Sequence, residues 1–226
     1  MPKAKRKSVS EAKGKISNAK DLILILLYAK GPNGRICDPI RGRTRLMKMV
    51  FLFDKEVRRQ FNLGKIVAED AMPKFKAYDY GPFSAQVYDD LEFLTDIGFV
   101  EMRELSSATP DPVEIQEFAH WQDETGDDCD DVDVDWFESQ FSLSPIGKSF
   151  VEDDEAGRLN EKQWSVIESF KKRCTEADLY SLLRYVYTTY PDMAANSRIR
   201  EKFLYDDDAD IRLNISSSTI AMSGSE

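Results

Sequence analysis

The stretch Phe75–Ile97, reading FKAYDYGPFSAQVYDDLEFLTDI, constrains the fold more than any other part of the chain. Tyr80-Gly81-Pro82-Phe83 makes a stiff turn. Gly81 supplies conformational freedom, and Pro82 fixes its own φ and pushes Gly81 out of the α region. Ser84 then opens a helix, its hydroxyl placed to accept a hydrogen bond from an amide of the first turn. Val87, Tyr88, Leu91, Phe93 and Leu94 are assigned to the inward face. Gln86, Asp89, Asp90 and Glu92 are assigned to the outward one, and Asp96 adds a further carboxylate. Gly98-Phe99-Val100 follows directly as the start of a strand. A helix delivered by an aromatic turn and followed at once by a strand has the form of the last helix and first wing strand of a winged helix. Its acidic outer face, however, would repel phosphate.

Two helices are expected ahead of this turn. Asn18–Lys30, capped by Asn18 or Asp21, is apolar nearly all round and should be buried, with Gly31-Pro32-Asn33-Gly34 ending it. Arg43–Phe61, capped by Thr44, carries Leu46, Met49, Val50, Phe53, Val57 and Phe61 at helical spacing. Its other face bears Arg45, Lys48, Lys55, Arg58 and Arg59, with Arg41 and Arg43 in the entry loop. This is the one strongly basic surface expected in the folded part, and it reads either as a solvated helix face or as a docking patch.

After the turn, Phe99–Leu105 and Phe137–Leu143 read as two strands of a hairpin, the wing. Between them Ser106–Glu138 is a long insertion with an intensely acidic run that includes Asp123, Glu124, Asp127, Asp128, Asp130, Asp131, Asp133, Asp135 and Glu138. The run reads either as a solvated loop or as a partner-binding, nucleic-acid-mimicking segment. Ser144-Pro145 starts a helix through Ala156 with Ile146, Phe150 and Val151 inward. Asn160–Cys174 follows. A capping-box-like Thr175-Glu176-Ala177-Asp178 then opens Ala177–Tyr190, and Pro191 starts a short helix Asp192–Leu204.

The 226 residues are enough for one good-sized domain, or for a domain with a helical extension, and 42% hydrophobic content supplies a core. A formal net charge of −10 argues against a general nucleic-acid binder, although residues 1–17 are basic. Cys37, Cys129 and Cys174 form no CxxC and no disulfide framework, and no apolar run is long enough to span a membrane, so a cytoplasmic location is expected. His120 is the sole histidine and has no partner at metal-ligand spacing. Asp131, Asp133 and Asp135 fail as a calcium loop, because Trp136 and Ser142 stand where glycine and glutamate are needed. No phosphate-binding or nucleophile motif occurs, so neither enzymatic activity nor a cofactor or metal is expected.

Three stretches together resemble a known family. They are Thr44-Arg45-Leu46-Met47-Lys48 and onward to Phe53, Tyr78-Asp79-Tyr80-Gly81-Pro82-Phe83-Ser84, and Val87-Tyr88-Asp89-Asp90-Leu91. They are similar to the phage-associated, SocA-like proteins, also called Panacea-type antitoxins. Leu143-Ser144-Pro145-Ile146-Gly147 resembles that family's wing exit, and Tyr190-Pro191-Asp192 through Ser197-Arg198-Ile199 resembles the C-terminal pattern of its YwgA-like branch. Met47 in place of glutamine and the acidic insertion depart from the pattern. The resemblance spans roughly residues 20–204. It implies a winged-helix-like helical domain, antitoxin- or adaptor-like, in a prophage or defence-associated system, with no catalytic residues.

The chain is therefore expected to be mainly α with minor β. A basic disordered tail (1–17) leads into a winged-helix-like domain (18–156) with the acidic insertion at 106–138, then a C-terminal helical extension (157–205) and a disordered tail (206–226). The expected function is binding of another protein, such as a toxin, nuclease or defence component. Candidate contacts are Arg41, Arg45, Lys48, Arg58, Arg59, Tyr80, Asp89, Asp90, Asp128, Asp130, Asp131 and Asp133. The alternative is a DNA-binding regulator using the basic arm and the Arg41–Arg59 surface.

Overall fold

The structure is a computed structural model and describes residues 16, 18–60, 63, 67, 72–105, 138–155, 159–197 and 199–201. It is mostly helical, with a small three-stranded antiparallel sheet and a separate two-stranded one. Helix α1 (Ala19–Tyr28) is capped by Asn18, whose side chain accepts from the Asp21 amide at 3.0 Å. Every side chain from Leu22 to Leu27 is at most 2% exposed, as an all-round apolar helix requires.

Strand β1 (Ile40–Arg41) leads into α2 (Arg43–Leu52). The helical run then widens into a π-helical turn, Phe53–Val57, and closes with α3 (Arg58–Gln60). The capping residue of α2 is Gly42, at φ +85°, and not Thr44. Thr44 lies inside the first turn, buried, its Oγ1 without a hydrogen-bond partner.

Strands β2 (Lys76–Tyr78) and β3 (Gly81–Phe83) form a tight hairpin around Asp79-Tyr80. Gly81 sits at φ +88°, and a Cβ there would lie 2.5 Å from Cε1 of Tyr187. Helix α4 (Ala85–Asp96) follows, with Ser84 in the capping position but making no side-chain capping bond. Its far end closes in a Schellman motif: Gly98, at φ +73°, donates to Thr95 O, and Phe99 donates to Leu94 O.

The two strands expected after this helix are present and paired. Strand β4 (Val100–Leu105) runs antiparallel to β5 (Glu138–Leu143), in register from Val100↔Leu143 to Leu105↔Glu138. The third strand, β1, pairs with the other edge of β5. Nothing in a two-residue strand offers a period to read.

Ser144 caps α5 (Pro145–Phe150) by accepting from the Gly147 amide, and a second π-helical turn, Val151–Glu155, continues it. Ile146 does not face inward; it is 65% exposed. Helix α6 (Glu161–Glu176) opens with a reciprocal Asn160–Gln163 capping box. Thr175 and Glu176 end this helix instead of starting the next. Asp178 alone caps α7 (Leu179–Thr189), accepting from the Ser181 amide at 2.7 Å. After α7 the chain makes a 3-10 turn, Pro191–Ala194, so the helix expected over Asp192–Leu204 does not begin at Asp192, while Arg200 and Glu201 are α-helical.

One apolar cluster unites these elements. Leu26, Val50, Phe53, Leu91, Leu94, Tyr80 and Phe83 all belong to it, as do Ile167 and Phe170 of α6 and Leu182, Leu183 and Val186 of α7. Two polar ties lock the C-terminal helices onto the rest. Lys171, fully buried in α6, donates from Nζ to the carbonyls of Leu27 (3.1 Å), Ala29 (2.7 Å) and Asp38 (2.5 Å), which closes the end of α1. Glu56, in the first π-helical turn, accepts at one oxygen from the Tyr185 and Tyr190 hydroxyls, each at 2.9 Å, and burial pushes its carboxyl pKa up. Among the described residues no helix is long and apolar enough to cross a membrane.

Candidate docking surface

Helix α4 buries Val87, Tyr88, Asp90, Leu91 and Leu94. At 100° per residue Phe93 lies roughly 200° from Leu91, on the opposite side of the helix. It is accordingly 47% exposed, and Ile97, one turn further on, is 44% exposed. Asp89, Glu92 and Asp96 are exposed around them. The inward placement expected for Phe93 is thus corrected, and so is the outward placement of Asp90. Asp90 is buried, with its Oδ1 paired to the Lys20 ammonium at the start of α1. Lys20 Nζ also lies 5.1 Å from the Phe93 ring centroid, so it neutralises the buried carboxylate while resting against an exposed ring.

Helix α5 starts beside the exit of α4. Ser144 Oγ donates to Gly98 O at 2.6 Å, and the Ser144 amide donates to Phe99 O at 3.0 Å. Gly147 packs so tightly on the Phe99 carbonyl that a Cβ would lie 2.1 Å from its oxygen. The neighbouring Ile146 therefore projects to solvent beside the exit of α4. Phe93 and Ile97 are apolar points among the carboxylates of α4, and Ile146 is a further exposed apolar side chain. Strict helical angles would have identified Phe93 from the sequence; Asp90 lies only about 20° around the helix from the exposed Ile97, so its burial follows from the approach of Lys20 on α1. The exposure of Ile146 carries no such signal, because it follows from the tertiary approach at Gly147.

The basic surface expected along Arg41–Arg59 does not exist as a surface. Lys48 is fully buried and donates from Nζ to the Pro82 carbonyl at 3.2 Å. Arg58 is 8% exposed and clasps Asp54 four residues before it, Nε to Oδ1 at 2.9 Å. Arg45 donates from one guanidinium nitrogen to the carbonyls of Cys174 and Ala177, each at 2.6 Å, closing the end of α6. The reason is the position of α2, which packs against α4, α6, α7, β1 and β3 together. It has no free side on which to hold a row of cations. Arg41 and Arg59 alone of the five basic candidates are exposed. Arg41 and Arg45 meet in a cleft of about 410 Å³, where Asp38, Glu138 and Asp178 offset their charge.

Tyr80 is 6% exposed and belongs to the core, not to a contact surface. Asp89 is exposed on α4, as expected. Asp128, Asp130, Asp131 and Asp133, together with most of the acidic insertion and the basic arm, lie outside the described residues. Among the described residues no group of His, Cys, Asp and Glu side chains is arranged to hold a metal ion.

Comparison with protein-family models, with curated proteins and with solved structures finds no match to this chain.

Proposed function

We propose that the protein is a non-catalytic protein-binding module, antitoxin- or adaptor-like, that docks a basic partner protein on the α4–α5 face. The observation that carries this reading is the pair Phe93 and Ile97, exposed in line on α4 among Asp89, Glu92 and Asp96. Apolar anchors ringed by charge suit a partner surface that offers apolar contacts and cations. The helix-then-paired-strands order from α4 through β4 and β5 supports a winged-helix-like reading of this part of the fold. In a winged helix that reads DNA, the corresponding helix approaches phosphates with Lys and Arg. Here three exposed carboxylates stand in that place, and Lys48, Arg45 and Arg58 are committed to internal partners, so the alternative of DNA binding through the Arg41–Arg59 surface loses three of its seven cations. The resemblance to SocA-like, Panacea-type proteins points to a toxin, a nuclease or another defence component as the partner. The acidic run from Asp123 to Glu138 would add long-range attraction for such a basic surface.

The test is co-expression with the product of the neighbouring gene. Wild type is expected to co-purify with that product and to relieve its toxicity, with capture falling as salt rises. Phe93→Ser with Ile97→Ser should abolish both effects while leaving the melting transition in place, and Arg59→Ser should change neither. Unimpaired rescue by the Phe93/Ile97 variant, or tight duplex-DNA binding at low salt that depends on Arg41 and Arg59, would overturn the proposal.

A further inference from the structure

We infer that a second site, on the side of the molecule formed by α1 and α6, receives an arginine side chain from a basic segment of the partner protein. A groove of about 440 Å³ lies between the end of α1 and the start of α6, lined by Tyr28, Lys30, Ile36, Glu161, Trp164 and Glu168. Its aromatic wall is the pair Tyr28 and Trp164, with ring centroids 5.5 Å apart and planes tilted by 55°. The Tyr28 hydroxyl donates to Glu152 Oε1 at 3.3 Å, which fixes that ring from behind. Ile36 stands 38% exposed at the edge. Glu168 is shared with Lys30, whose Nζ lies 3.4 Å from Oε1, both side chains remaining partly exposed. Glu161, in the first turn of α6, is exposed and has no cationic partner among the described residues.

These parts select one ligand chemistry. Ring faces attract a cation, and a guanidinium stacks on them better than an ammonium does. A free carboxylate beside the rings takes the N–H groups that stacking leaves unused. An exposed isoleucine matches the aliphatic stem. An anion finds no uncommitted cation here, since Lys30 is already engaged. A nucleobase could stack on Trp164, but it would bring its phosphates next to Glu161 and Glu168. The volume is within the range of small-ligand clefts and exceeds one side chain, so it fits an arginine with its flanking residues.

The site deepens the protein-binding reading, yet it can fail separately, because neither Phe93 nor Ile97 lines it. The experiment is an NMR titration of the full chain with the blocked peptide acetyl-Ala-Arg-Leu-Arg-Ala-amide and with its citrulline counterpart. The Trp164 indole signal is assigned by its loss in Trp164→Phe. The arginine peptide is expected to shift that signal saturably at low salt, and the citrulline peptide to bind about tenfold more weakly. Trp164→Ala should weaken binding about two- to fivefold. Trp164→Phe, read from backbone amides around the groove, should keep most of it. Glu161→Gln, an exposed change that spares the fold, should weaken binding about threefold. Equal binding of the two peptides, a Trp164 signal that stays still while others move, or an unaffected Glu161→Gln would each overturn the assignment. If those results coincide with loss of partner capture in the Phe93/Ile97 variant, the groove is excluded and the α4–α5 docking face stands.

Discussion

Lys48 Nζ donates to the carbonyl oxygen of Pro82 at 3.2 Å, and the lysine is fully buried. The bond joins two stretches read separately from the sequence, the basic-apolar helix α2 and the Tyr80-Gly81-Pro82 turn. It orients the turn that launches α4, so a residue assigned to a surface is instead part of the frame that aims the docking helix. Lys48→Ala leaves a cavity and strips a buried carbonyl of its donor, and should cost about 2–5 kcal/mol in chemical denaturation. Lys48→Met refills the volume and should cost less. A change within about 0.5 kcal/mol, the ordinary effect of a surface substitution, would contradict the burial.

Gly81→Ala should be at least as damaging. The residue holds φ +88°, where a Cβ is strained, and that Cβ would meet the Tyr187 ring edge at 2.5 Å. Tyr187 is itself 1% exposed and its hydroxyl accepts from Ser197 Oγ at 3.0 Å, so the ring cannot step aside. In a double-mutant cycle Tyr187→Ala should relieve the contact but not the backbone strain. The coupling between the two positions should therefore be favourable and the relief incomplete. Strict additivity would show that the ring does not hold the turn.

Much of this arrangement is legible in the residues themselves. The apolar run Leu22–Leu27 of α1, the Gly81-Pro82 turn, the Ser144-Pro145 cap and the β4–β5 pair follow from local chemistry, and each is where local chemistry puts it. The misplaced cations share one cause. Lys48, Arg45 and Arg58 look like a solvated stripe because charge normally seeks water, and no local pattern records that α2 is enclosed by five other elements. Their acceptors, the carbonyls of Pro82, Cys174 and Ala177 and the carboxylate of Asp54, are mostly distant in sequence. Arg58–Asp54 is the exception, an i,i+4 pair that could have been read directly. Phe93 was accessible to strict helical geometry as well, whereas the burial of Asp90 depends on Lys20 of α1. Exposure of Ile146 and the Tyr28–Trp164 groove depend on tertiary approach and leave no trace in spacing.

Arg45 offers a test of that enclosure. Its single nitrogen serves two carbonyls at the end of α6, a position where a cation also meets the negative end of the helix dipole. Arg45→Gln should lower stability by about 1–3 kcal/mol. Arg45→Lys should recover only part of this, since its ammonium sits on a shorter stem and does not reach the position of the guanidinium nitrogen that serves both carbonyls. If the residue instead served a partner surface, both variants would melt like wild type and fail only in capture.

The last prediction concerns Lys171 and pH. Burial lowers its pKa to about 8, with Asp38 opposing the shift as the first of the nearby anions. In the unfolded chain a lysine titrates near 10.4. Between these two values the unfolded state binds more protons at this site than the folded state does. Stability therefore gains from Lys171 as pH rises through about 8 to 10.4 and is flat in this contribution below 8, where both states are protonated. Two groups in the same neighbourhood act in the opposite sense. Burial raises the Cys37 thiol and the Tyr28 phenol, so both lose stability on the alkaline side. The measurement is thus a difference: denaturation of wild type and of Lys171→Met at matched pH from 7 to 10. The wild type should gain on the variant by up to about 3 kcal/mol across the full window, with the gain beginning near pH 8. A constant difference would mean that the three carbonyls of Leu27, Ala29 and Asp38 compensate the ammonium fully, and that the end of α1 is held by a lysine with an ordinary affinity for its proton.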